Sequence, residues 1–128
     1  MNLFQQTIKN KTSLTGVGLH TGQEVTVTFC PAAANHGLKF QRTDLEGQPI
    51  IPADADLVTT VERGTTLQKG EAAISTVEHL LAAVVGLQID NLLIEVTGIE
   101  IPIMDGSSTE FLKKLKEAGI QEQEEERY

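Results

Sequence analysis

Apolar residues alternate with polar ones early in the chain and take up helical spacing only in two late segments. That order restricts the fold more than any other feature. Val25, Val27 and Phe29 alternate with Thr26, Thr28 and Cys30 up to Pro31, a period of two that predicts a half-buried strand. Leu38 and Phe40 alternate in a shorter run behind Asn35-His36-Gly37, which reads as a hairpin turn. Leu92-Leu93-Ile94-Glu95-Val96 is a near-continuous apolar run that ends at Gly98. Weaker strand signals cover Leu3 to Ile8, Thr65 to Gln68 and Ile99 to Met104; in the last, Pro102 favours an edge or a strand end. The two exceptions are helical. Val77, Leu80, Leu81, Val84 and Val85 form one buried-face stripe, with Ser75 and Glu78 at capping-box spacing before it and Gly86 closing it. Phe111, Leu112, Leu115 and Ala118 form the other, opened by Ser107 and Glu110 and closed by Gly119. Lys113, Lys114 and Lys116 lie toward its C-terminal half, where the helix dipole favours cations. Strands outnumber helices and helices come late. The expected class is therefore α+β: a two-layer sandwich, mostly antiparallel, with two main helices packed on one face of the sheet.

Composition narrows the functions. A chain of 128 residues with 40% hydrophobic side chains suits one domain with its own core. The single cysteine, Cys30, excludes an intramolecular disulfide framework and a Cys-based structural zinc site, and makes a reducing, cytoplasmic setting the expectation. No apolar run approaches the ~18 residues that cross a bilayer, and the first residues, with Lys9 and Lys11, show no apolar core of a signal peptide. A net charge of −8 argues against nucleic acid as a partner. Half of that charge, −4, sits between Glu117 and Tyr128. Residues 1–120 are thus expected to form the domain. Residues 121–128 are expected to be an acidic, solvated tail or a linker, with an acidic interaction tail as the other reading.

One pair of residues points to chemistry. Glu78 and His79 are neighbours on a predicted helix, ~100° apart, so both can reach one cavity beside its N-terminus. A histidine can hold a metal and an adjacent carboxylate can take a proton from water. Alternatively, Glu78 completes the capping box and His79 is a surface histidine, since the spacing is not the His-Glu-x-x-His of two ligands on one helix. His20 and His36 are the other histidines, and nothing here completes a set of about three ligands. A catalytic site on Glu78 and His79 must draw its other ligands from elsewhere. Thr15-Gly16-Val17-Gly18-Leu19-His20-Thr21-Gly22 places three glycines in seven residues around His20. It matches neither a dinucleotide fingerprint nor a P-loop, and a tight turn before the next strand also accounts for the glycines. Asp105-Gly106-Ser107 reads as an Asx-turn leading into the second helix.

Taken together, Thr15 to Gly22, Arg42-Thr43-Asp44-Leu45, Ser75 to Leu80, Ile89-Asp90-Asn91 and Glu100 to Ser107 stand in the order and spacing of one family, across essentially residues 5 to 120. The chain closely resembles the N-terminal half of the bacterial zinc-dependent UDP-3-O-acyl-N-acetylglucosamine deacetylases of lipid A biosynthesis. The resemblance implies an enzyme that removes acetate from the glucosamine nitrogen, built from two small α+β halves with the active site between them. By motif, His79 corresponds to a zinc ligand, Glu78 to the general base, and His20 to a residue near the substrate. Glu62, Arg63, Gly64 and Thr65 correspond to a loop lining the entrance for substrate and acyl chain. The family's remaining zinc ligands, an oxyanion-stabilising Thr and a further catalytic His belong to the second half. The expected partner is therefore a second catalytic domain of the same polypeptide, without which this domain is inactive. Some family members continue into a fused hydroxyacyl-carrier-protein dehydratase. The alternative is a noncatalytic binding or assembly module of the same fold, which would need neither Glu78 nor His79.

Overall fold

The computed structural model describes residues 3–60 and 65–127. In chain order the elements are β1 (Phe4–Ile8), β2 (Thr12–Val17), β3 (Glu24–Pro31), β4 (Leu38–Arg42), β5 (Ile50–Pro52), a 3-10 turn (Ala55–Leu57), β6 (Val58–Thr60), β7 (Thr66–Lys69), β8 (Ala72–Ser75), α1 (Glu78–Gly86), β9 (Leu92–Val96), α2 (Thr109–Ala118) and β10 (Ile120–Glu126). The class is α+β, as the order of the two periods implies.

The main sheet has the order β2-β3-β9-β4-β5 and is antiparallel except where β4 runs parallel to β9. Its register sets Val27 against Val96, Phe29 against Ile94, and Phe40 against both Ile94 and Ile51. All of these are buried, whereas the alternate residues Thr26, Thr28, Lys39, Gln41, Leu93 and Glu95 are half-buried. One face of the sheet therefore carries the core. Leu80, Ala83 and Val84 of α1 and Phe111, Leu115 and Ala118 of α2 enter that same core. The helices pack on each other, and α2 also packs on β2. Burial of each large side chain here stabilises the fold by about 1.5–3 kcal/mol relative to exposure. Two smaller sheets, β1-β10 and β6-β7-β8, complete the architecture. Among the described residues no helix is long and apolar enough to cross a membrane.

Four local expectations need correction. Asn35-His36-Gly37 is not a hairpin turn, because β9 lies between β3 and β4. The connection instead crosses the end of β9, where Gly37 donates its N–H to Asn91 Oδ1 at 2.8 Å and accepts from the N–H of Leu92 at 3.0 Å. Ile99 to Met104 is not a strand and makes a single parallel bridge, Ser75 to Glu100. Neither helix has the capping box: Val77 and Ser108 are the N-caps and make no side-chain cap bond. Ser75 ends β8 and bonds Thr66 instead.

The fourth correction is the acidic tail. Ile120 to Glu126 form an antiparallel strand on β1, with Ile8 opposite Ile120 and Phe4 opposite Glu126. Side-chain amides anchor it. Buried Asn91 donates to Gln123 Oε1 and to Gln5 Oε1, Gln123 donates to the carbonyl of Ala32, and Arg127 pairs with Asp90 at 3.1 Å. The acidic composition describes the strand's exposed side chains, and charges along an edge discourage pairing with another chain.

Candidate functional site

The turn from β2 to β3 carries His20. Gly18 donates its N–H to the carbonyl of Gln23 and accepts from the N–H of Gly22, so this is the tight turn its glycines suggest. What fills it was not legible as a site residue. Glu100, 1% exposed, inserts its carboxylate under the turn. Oε1 accepts the N–H groups of His20 and Thr21, both at 3.0 Å, while Oε2 accepts the Thr76 hydroxyl at 2.9 Å and lies 2.6 Å from His20 Nδ1. A Cβ on Gly18 would collide with that carboxylate and with Thr21 Oγ1. Burial pushes the Glu100 carboxyl up, but the Thr21 N–H, the His20 ring, the Thr76 hydroxyl and the His20 N–H together outweigh it and hold the group below its usual range. The one sequence signal was a lone carboxylate between isoleucines, Ile99-Glu100-Ile101, in a segment otherwise read for its turn. His20, Thr21, Thr66, Ser75, Ile99 and Glu100 line a pocket of 190 Å³.

Thr76 connects this pocket to the predicted catalytic pair. It has φ 64°, a strained conformation for a β-branched residue. Its N–H donates to the carbonyl of Thr65 at 2.8 Å. The chain leaves β8 through this turn and starts α1 at Glu78. Glu78 Oε2 accepts the N–H of Thr65 at 2.9 Å. Glu78 Oε1 is buried and has no hydrogen-bond partner, the one such side-chain atom among the described residues. An orphaned buried acceptor costs about 1–3 kcal/mol, so it calls for an explanation. Thr65 thus acts here through its backbone, holding Glu78. Glu62, Arg63 and Gly64 lie outside the described residues.

His79 is half-buried on the first turn of α1, and its charge is a minor contributor to the lowered pKa of Asp105. The main cause there is the Ser107 hydroxyl, followed by the Ser107 N–H, which closes the predicted Asx-turn at 3.0 Å. Asp105 borders an open depression of 430 Å³ with Gly16, Val17, Ile103, Met104 and Glu110. The structure therefore bonds both His20 and Thr76 to Glu100, and seats Glu78 on Thr65 just beyond that turn. It gives His79 no such bonded link to His20. His36 Nδ1 lies 2.9 Å from the carbonyl of Gly37, within the crossing that holds β4 beside β9.

These residues could supply only part of a zinc site. Among the described residues no three His, Cys, Asp or Glu side chains gather to hold a metal. His79 supplies one nitrogen and Glu78 one unpartnered oxygen, which fits a contribution to a shared site. Cys30 adds nothing: burial first, and then its contact with Glu95, push its thiol up to about 11, so it stays protonated at neutral pH.

Two motifs prove structural. Arg42 is 6% exposed, grips Asp44 with two nitrogens at 2.9 and 2.7 Å, and donates to the carbonyl of Ala73 at 2.7 Å, tying β4 to β8. Ile89-Asp90-Asn91 holds the β1-β10 pair, with Asp90 Oδ2 accepting the N–H of Gln6.

The family model described as UDP-3-O-acyl N-acetylglycosamine deacetylase, LpxC, matches residues 5–128. The bifunctional enzyme LpxC/FabZ of Bacteroides thetaiotaomicron is 54% identical over 121 residues, which are 94% of this chain and 26% of that protein. The UDP-3-O-acyl-N-acetylglucosamine deacetylase of Methylococcus capsulatus is 52% identical over 120 residues, 94% of this chain and 40% of that protein. That of Psychrobacter sp. is 50% identical over 119 residues, again 40% of its length. The chain thus spans about 40% of these single-function relatives and about a quarter of the bifunctional one. On this match, together with the Thr-Gly-x-Gly-Leu-His turn and the Glu78-His79 pair, the chain belongs to the UDP-3-O-acyl N-acetylglycosamine deacetylase family.

Proposed function

We propose that this chain is the first domain of a zinc-dependent amide hydrolase that removes acetate from UDP-3-O-acyl-N-acetylglucosamine in the cytoplasmic steps of lipid A biosynthesis. The observation that carries this reading is Glu78: one carboxylate oxygen is held by the Thr65 N–H and the other is buried without a partner. That arrangement suits a general base, oriented by one oxygen and free to accept a proton at the other. His79, next in sequence, would hold the metal through a ring nitrogen. A bound zinc ion supplies Lewis acidity, which lowers the pKa of a water molecule and polarises an amide carbonyl. Glu78 takes the proton that the attacking water loses and stands ready to return it to the leaving amine. His20 lines the pocket beside the turn and contacts the substrate, and by the family resemblance Glu62, Arg63, Gly64 and Thr65 also take part in substrate binding.

This domain supplies one metal ligand and one base. The other ligands come from a second catalytic domain of the same polypeptide. That domain also supplies much of the positive charge for the substrate diphosphate, because this chain offers no basic cluster. Fusion to a hydroxyacyl-carrier-protein dehydratase accords with the bifunctional names of some relatives.

The test uses this chain alone and a protein completed with the C-terminal half. Alone, the chain is expected to bind zinc weakly and to show no deacetylase activity, since tight binding needs several ligands positioned together. In the completed protein His79→Ala should lose zinc, while Glu78→Ala should keep it and lose about 10²–10⁴-fold in single-turnover rate. Full zinc content and normal rate in His79→Ala would remove the metal assignment. A noncatalytic module would tolerate both substitutions.

A further inference from the structure

We propose that Glu100 is a positioning residue that fixes His20 as its Nδ1–H tautomer and leaves Nε2 as the basic nitrogen of a ring lining the substrate pocket. The inference rests on the reading above, in which that pocket serves the deacetylation.

The tautomer follows from the inventory of donors. An ionised carboxylate only accepts, and Glu100 Oε2 lies 2.6 Å from His20 Nδ1, so Nδ1 carries the proton. Glu100 cannot turn to offer anything else. Its Oε1 is engaged by two backbone N–H groups of the turn, and its Oε2 also accepts the Thr76 hydroxyl. The backbone on either side is pinned as well: Ser75 donates to the carbonyl of Ile99 at 2.7 Å and accepts from the N–H of Ile101 at 2.9 Å. The space for the carboxylate exists because position 18 has no side chain.

These contacts reach two elements at once. One end of the network holds the ring of His20, which remains 37% exposed at the pocket. The other end holds Thr76, in the strained turn two residues before Glu78. A buried carboxylate kept ionised between two isoleucines is a costly way merely to cap a turn, whereas an amide would serve the same N–H groups. Only a carboxylate serves those N–H groups and also requires the imidazole to donate from Nδ1. The arrangement repeats the logic by which a carboxylate on one ring nitrogen sets the tautomer and basicity of the other.

Substitution by glutamine separates this role from a structural one. In Glu100→Gln the amide oxygen is drawn to the two N–H groups, which turns the NH₂ toward Nδ1 and demands that Nδ1 accept. The ring must then carry its proton on Nε2. Nitrogen-15 NMR of this 128-residue chain, at alkaline pH where the ring is neutral, reads the tautomer directly. The expected result is Nδ1–H in the wild type and Nε2–H in Glu100→Gln. Nε2–H in the wild type would overturn the proposal, and that measurement decides even if the variant does not fold.

The second readout is kinetic, in the protein completed with its C-terminal half. Glu100→Gln should lower kcat/KM by about 10–100-fold, the usual cost of losing a partner that orients a site residue. In a His20→Ala background the same change should cost almost nothing, because both act through one ring. Effects that multiply would show that Glu100 acts independently of His20 and would overturn the proposal. Failure of the functional reading looks different: the wild-type completed protein would not deacetylate at all, although His20 kept its Nδ1–H tautomer. That result would overturn the role in this reaction.

Discussion

Glu78 and Gly18 show how single atoms constrain this protein in opposite ways. The unpartnered Oε1 of Glu78 is a cost to folding, of the kind that persists where function requires it. Glu78→Gln keeps an oxygen for the Thr65 N–H but puts its NH₂ where Oε1 has no partner, so a buried polar group stays unsatisfied and only the negative charge is lost. It should leave stability within about 1 kcal/mol of the wild type while costing about 10²–10⁴-fold in turnover of the completed protein. Thermal melts of the two chains check the first part, and a clear rise in midpoint would show that the charge, not the missing partner, is the burden. Gly18 is the reverse case, a residue whose missing side chain makes room for a carboxylate. Gly18→Ala should destabilise by about 1–3 kcal/mol through overpacking, and it should disturb His20 because the displaced group is Glu100. Denaturant titration gives the first effect and the His20 ring resonances give the second. The pair Glu78-His79 was legible as a candidate because its two members are adjacent and both are chemically conspicuous. Glu100 was not, because its partner His20 lies 80 positions away and nothing in a local pattern joins them.

At the scale of elements, two polar clamps decide which strands meet. Arg42 joins β4 to β8 through the carbonyl of Ala73, with Asp44 holding its guanidinium flat. Arg42→Met should cost about 1.5–3 kcal/mol, the range for hydrogen bonds to a buried charge. The loss should appear first as faster amide exchange in β7 and β8. The second clamp is the amide group of Asn91, which reaches Gln5, Gln123 and Gly37 at once. It explains why an acidic segment with almost no apolar content is nevertheless a strand. Amides of β10 that face β1 should be protected from hydrogen exchange, and Asn91→Ala should remove that protection before the main sheet loosens. Free exchange across Ile120 to Glu126 in the wild type would restore the solvated tail that composition suggested. The capping boxes failed for a related reason. Ser75 and Ser107 have the right spacing, but other partners claim the side chains: Thr66 bonds Ser75, Glu78 turns to Thr65, and Ser107 bonds its neighbours Asp105 and Thr109.

At the scale of the whole molecule, pH sums the contributions of several carboxylates. Glu100 is held below its ordinary value of 4.5 despite burial, by the donors gathered around it, and Asp44 is held below 3.8 chiefly by Arg42. A carboxyl with a lowered folded-state pKa adds stability that is fully present above the unfolded value and is lost as pH falls through the folded one. Stability should therefore hold through the neutral range and decline once pH drops below about 4.5. Glu100→Gln should remove part of that decline, as urea melts at a series of pH values would record; an unchanged acid limb would show that Glu100 is not linked to folding. The fold class was already implied by the sequence, because a period of two and a period of 3.6 are local consequences of burying one face of a strand or a helix. The same holds for β3, β9 and the two helices, each read from neighbours along the chain. Tertiary structure alone decided that β9 enters between β3 and β4, that the acidic end pairs with β1, and that Glu100 meets His20 and Thr76. In each case the deciding energy comes from groups 24 to 124 residues apart, Thr76 with Glu100 at the short end and Leu3 with Arg127 at the long one. Local periodicity records which side of an element is buried, and carries no record of what will bury it.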